Sequence, residues 1–151
     1  MPIGEICNRE VVLSHLNHTV REAALLMREY QVGDLVVVEE ENGKRKPVGI
    51  VTDRDIAISI VALGLDPDVI TVGDIMGPEL VTVRENQGVF ETFQQMRFKG
   101  VRRLPIVGED GALVGIVAVD DLVALFADEL SELSKVIARE QMVEVKTRKS
   151  K

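Results

Sequence analysis

The sequence predicts an α/β fold of two tandem β-α-β-β-α units related by a pseudo-twofold axis, followed by a C-terminal helical extension. Three observations carry this. Residues 3–38 align without a gap to residues 72–107, and 12 of the 36 pairs are identical, among them Gly4/Gly73, Asn17/Asn86, Met27/Met96 and Leu35/Leu104. A buried strand running straight into a helix occurs twice, as Val48-Gly49-Ile50-Val51-Thr52-Asp53-Arg54-Asp55 and as Val114-Gly115-Ile116-Val117-Ala118-Val119-Asp120-Asp121. Apolar residues make up 46% of the 151 and aromatics only 3%, so the core must be built from Val, Ile, Leu, Ala and Met, a mixture that favours α/β over an all-helical bundle.

Each unit opens with a short segment, Ile3–Cys7 or Val72–Met76, followed by an extended apolar piece, Val11–Leu13 or Leu80–Val83. An amphipathic helix comes next. In the first unit Thr19 and Glu22 have capping-box spacing, and Val20, Ala23, Ala24 and Met27 form its apolar stripe. Val89, Phe93 and Met96 repeat the stripe in the second unit. Two strands joined by a polar turn follow: Leu35–Glu39 with Val48–Thr52, and Leu104–Val107 with Val114–Ala118. Glu109-Asp110-Gly111 suits a hairpin, and the triplet Glu39-Glu40-Glu41 reads as part of a longer solvated turn. A second helix closes each unit. Gly64 can end the first of these and Pro67 bars its continuation. The expected divisions are 1–69, 70–127 and 128–151. In the last, Leu130, Leu133 and Ile137 fall at helical spacing, leaving open a helix packed on its own domain or a dimer contact. The basic end Lys146–Lys151 reads as a frayed, solvated tail.

The composition narrows the function classes. A net charge of −7 argues against general nucleic-acid binding, which needs basic surface. Cys7 is the only cysteine, so an internal disulfide is excluded and no zinc cluster is evident. His15 and His18, in an expected loop, read as surface residues. No apolar stretch approaches the ~18–20 residues of a membrane span, and the start lacks a basic segment followed by an apolar run; a cytoplasmic protein with no membrane partner is the expectation. Asn17-His18-Thr19 matches a glycosylation sequon by coincidence on that reading. No nucleophile–base pair, metal motif or phosphate-binding glycine loop stands out, so the chain does not read as an enzyme.

Thr52 and Asp55 are spaced as an N-cap hydroxyl and an acid three residues on. A helix start offers free N–H groups to an anion, and a carboxylate can accept both hydroxyls of a ribose. Arg102-Arg103 is the only pair of adjacent arginines, and arginine's planar fork suits a phosphate. The same residues would also serve a helix that is capped and nothing more, and a strand whose start is merely solvated.

The duplicated units, with Gly49-Ile50-Val51-Thr52-Asp53-Arg54-Asp55 and Val101-Arg102-Arg103-Leu104-Pro105-Ile106, resemble a pair of CBS domains, together called a Bateman module. The resemblance covers residues 1–127. It implies a regulatory sensor that binds AMP or a related adenosine nucleotide, with ATP, NAD and adenosine as alternatives and no metal. The implied pocket takes Thr52 and Asp55 from the first repeat and Arg102 and Arg103 from the second. Adenine would lie on Ile50, its edge read by the backbone near Leu80 and Val81. A weaker second site would use Ile116, Asp121 and Arg54, with Ala118 in place of the threonine and Gly33-Asp34 in place of the arginines. The resemblance also implies a homodimer, here through an apolar face of Ile56, Ile60, Leu122 and Leu125, and a protein partner that the sequence does not name. The other reading is a ligand-free scaffold of the same fold, acting through its dimer surface and the helix 128–141.

Overall fold

The computed structural model describes Met1–Lys149. The chain forms two compact units, Met1–Val117 and Ala118–Lys151. The first holds two three-stranded sheets, ordered β1-β2-β3 and β4-β5-β6. The strands are β1 (Leu13–Ser14), β2 (Asp34–Glu41), β3 (Lys44–Thr52), β4 (Val83–Arg84), β5 (Arg103–Val107) and β6 (Leu113–Ala118). The helices are α1 (Val20–Tyr30), α2 (Asp53–Ile56), α3 (Val72–Ile75), α4 (Val89–Lys99) and α5 (Val119–Lys149). A 3₁₀ turn spans Ile3–Glu5, and α2 runs on into a π-helical turn over Ala57–Val61.

The duplication is visible bond by bond. Ser14 pairs in parallel with Val37, and their repeats Val83 and Ile106 pair the same way. The opening segments are exchanged: Ile3 N donates to Gln87 O (2.7 Å) and Gly4 N to Glu85 O (2.9 Å), while Val72 N donates to His18 O (2.8 Å) and Gly73 N to Leu16 O (3.0 Å). Each repeat therefore completes the other's core. Val72, fully buried, joins Ala23, Met27, Leu35, Val37 and Val51 in one cluster, with Ile75 and Met76 packed against it. Neither sheet has enough apolar cover from its own sixty residues alone.

Helix α1 starts where Thr19 Oγ1 accepts from Glu22 N at 3.1 Å. Its buried face is Val20, Ala23 and Met27; Ala24 points outward. In α4 the residue at the place of Ala23 is Thr92, fully buried, whose hydroxyl donates to Gly88 O at 2.8 Å; Phe93 is only half-buried. Strand β2 has four buried residues in a row, Leu35–Val38, because it is the central strand and is covered on both faces.

Several expectations are corrected. The long turn after Glu39 is strand: Glu39, Glu40 and Glu41 pair across the ladder with Lys46, Arg45 and Lys44. Opposite charges facing one another favour pairing over a solvated loop. The turn itself shrinks to Asn42-Gly43, both at positive φ (54° and 76°), the geometry that Asn-Gly favours in a two-residue hairpin. Pro47 is accommodated by a register shift at Val37/Val38. His15 and His18 are half-buried, with Ser14 Oγ 3.0 Å from His18 Nδ1 and His15 N donating to that same nitrogen at 3.3 Å. Ile60 and Leu122 are buried within the monomer, so the apolar face expected of them is not available; exposed apolar side chains near them are Ile58, Val61 and Val123. Residues 146–149 are helical; Ser150 and Lys151 lie outside the described residues. No helix of the described residues is long and apolar enough to cross a membrane.

Candidate functional site

The strand-to-helix turn at the end of β3 is built by a complete capping box. Thr52 Oγ1 accepts from Asp55 N at 3.1 Å, and Asp55 Oδ2 accepts from Thr52 N at 2.9 Å. The cap occupies one oxygen of the carboxylate, and an ionised carboxylate has about four acceptor positions. Capping and ribose binding are therefore compatible, and both side chains are only half-buried.

One cleft of about 290 Å³ lies at this turn. Its lining includes all seven residues of the expected main pocket: Ile50, Thr52, Asp55, Leu80, Val81, Arg102 and Arg103. Gly77, Glu79 and Val101 complete it. Ile50, Leu80, Val81 and Val101 give the cleft apolar surface, and the two arginines and the capped helix start give it polar groups. Sequence reasoning missed the last three residues. Glu79 carried a signal, since it is the repeat partner of Glu10, and Val101 is the partner of Val32.

Arg103 Nε is 3.0 Å from Asp34 Oδ1. Burial pushes the Asp34 carboxyl above its ordinary range; Arg103 pulls it down by less, and Asp53 adds to the rise. Arg102 is exposed. Of the residues expected at the second site, Arg54 is exposed, with its backbone N–H on Asp53 Oδ1 at 2.8 Å. Ile116 is half-buried and its backbone bridges to Asn8 in both directions at 2.9 Å. Asp121 is exposed, and its Oδ2 accepts from Ala118 N at 3.1 Å, half of the box that Thr52 completes. Among the described residues no group of three or more His, Cys, Asp or Glu side chains is gathered as a metal would require.

The model of the CBS domain matches residues 3–62 and again 72–128. The chain belongs to the CBS domain family. An uncharacterized protein of Methanopyrus kandleri is 41% identical over 120 residues, which is 80% of this chain but 60% of that relative's length. Hypoxic Response Protein I, solved with two coordinated zinc ions, is 32% identical with a TM-score of 0.71, over 82% of this chain and 98% of that one. A CBS domain protein from Pyrobaculum aerophilum complexed with AMP is 30% identical with a TM-score of 0.72, over 81% of this chain and 90% of that one. The zinc-bearing structure overturns the expectation that the module is metal-free: absence of metal is not a property of this fold.

Proposed function

We propose that this CBS domain pair is a regulatory module that binds an adenosine nucleotide of the AMP type, and that it catalyses no reaction. The supporting observation is that a single cleft is lined by the Thr52–Asp55 turn of one repeat and by Arg102 and Arg103 of the other. Its lining holds a group for each part of such a ligand: apolar side chains for a base, a carboxylate for a ribose diol, two guanidinium groups and a helix start for a phosphate. The AMP complex of the Pyrobaculum relative supports the same ligand class. Because the two repeats each supply one part, occupancy favours whichever arrangement brings the parts together. That is how binding becomes a signal to a partner.

Thermal unfolding with AMP, adenosine, ATP, NAD and S-adenosylmethionine tests this. A ligand at about a hundred times its dissociation constant stabilises by roughly 2.7 kcal/mol. The expected result is a shift with AMP that Asp55→Ala removes. Equal shifts in wild type and Asp55→Ala would argue for another site, and no shift with any of the five would favour the scaffold reading.

A further inference from the structure

From Ala127 to Lys149 every residue of α5 is exposed. These 23 residues include Leu130, Leu133, Val136, Ile137, Met142, Val143 and Val145, each 46–66% exposed. At 3.6 residues per turn, Leu130, Ile137 and Val145, with Ser134 and Gln141 between them, fall within an arc of ~100°. Most of a helix's stability in a protein comes from packing its apolar face, and an uncovered apolar stripe calls for a cover.

The charges on the helix say what the cover is. Its first part carries Asp120, Asp121, Asp128, Glu129 and Glu132 with no base before Lys135. Its last part carries Lys135, Arg139, Lys146, Arg148 and Lys149 against Glu140 and Glu144, a net of 5 − 2 = +3. A parallel copy would set acid beside acid and base beside base. An antiparallel copy sets Asp128 and Glu129 beside Lys146, Arg148 and Lys149, and also opposes the helix dipoles. We propose that the exposed stretch of α5 pairs antiparallel with α5 of a second copy of this chain, overlapping about Ala138. The pairing is independent of what the cleft binds.

Cysteine cross-linking of the full chain in a Cys7→Ser background, with sedimentation to measure mass, tests this. In an antiparallel pair Ala138→Cys cross-links with its own copy. Leu130→Cys alone does not, since two such positions lie about 24 Å apart along the axis. Leu130→Cys combined with Val145→Cys does. Ile137→Glu should raise the dimer dissociation constant by about a hundredfold or more, because each dimer loses two buried isoleucines. Three results would overturn the proposal: a chain monomeric at about 100 μM, which leaves the stripe to a different partner; a dimer that Ile137→Glu does not weaken; or cross-linking of Leu130→Cys alone as fast as of the double variant, which would mean a parallel pair.

Discussion

Arg103 Nε sits 3.0 Å from Asp34 Oδ1, and the two occupy the same position in the two copies of the repeat. One duplicated position has thus become a pair of opposite charges that meet one another. Arg103 lines the cleft, so a bound phosphate must share it with, or take it from, a carboxylate. Asp34→Asn should therefore tighten AMP binding by about 3- to 10-fold, measured by titration calorimetry.

The same residue sets a pH dependence. Burial holds the Asp34 carboxyl above its ordinary range despite Arg103, so the folded chain keeps a proton that the unfolded chain has already lost. Stability then falls as pH rises from the ordinary aspartate value of about 4 to the raised one, and stays lower above it. Asp34→Asn should remove that decline. Denaturation of both proteins across this window should show the wild type losing ground to the variant as pH increases.

Thr52 and Asp55 cap a helix and, in the proposed function, also hold the ligand, and the two roles can be separated. Thr71 and Asp74 repeat one half of that box, with Thr71 N on Asp74 Oδ2 at 3.0 Å, but do not line the cleft. The bond from Thr71 holds the Asp74 carboxyl below its usual range. Asp74→Ala should lower the melting temperature and leave the AMP shift intact. Thr52→Ala should cost about 1 kcal/mol of stability and shrink the AMP shift as well.

Two equivalent glycines should respond differently to the same change. A Cβ on Gly115 would lie 2.6 Å from Asn8 O, a backbone atom fixed by the bridge between Asn8 and Ile116. A Cβ on Gly49 would meet Met76 Sδ at 2.5 Å, the far part of a flexible side chain. Gly115→Ala should cost about 1–3 kcal/mol in chemical denaturation, and Gly49→Ala distinctly less, because methionine can change rotamer and backbone cannot.

The duplication, the strand-to-helix turns and seven of the ten residues that line the cleft were legible because each rests on local spacing, on comparison of the two copies or on the family resemblance. The exchange of the opening segments was not. Nothing in Ile3–Cys7 or Val72–Met76 says which sheet will cover it; that is a property of how the copies assemble. Glu39–Glu41 misled because a run of acids reads as solvated until its partners, Lys44–Lys46, are seen opposite. Gly77 matches no residue of the other copy, where Asn8 stands, and only the position of the cleft shows that it lines it.

Arg102 and Arg103 decide whether a phosphate matters at all. If they hold it, each charge-assisted contact is worth about 1.5–3 kcal/mol, or roughly 10- to 100-fold in affinity. Arg103→Ala should lose less than that for AMP, since binding to the wild type already has to overcome Asp34; Arg102→Ala should also weaken AMP. Adenosine, which brings no phosphate, should bind both variants about as well as wild type. The ratio of AMP to adenosine affinity, measured in parallel titrations, isolates the arginines from the base and ribose contacts, because those are common to both ligands. A double variant in which the ratio stays at the wild-type value would place the phosphate on the helix start at Thr52 alone.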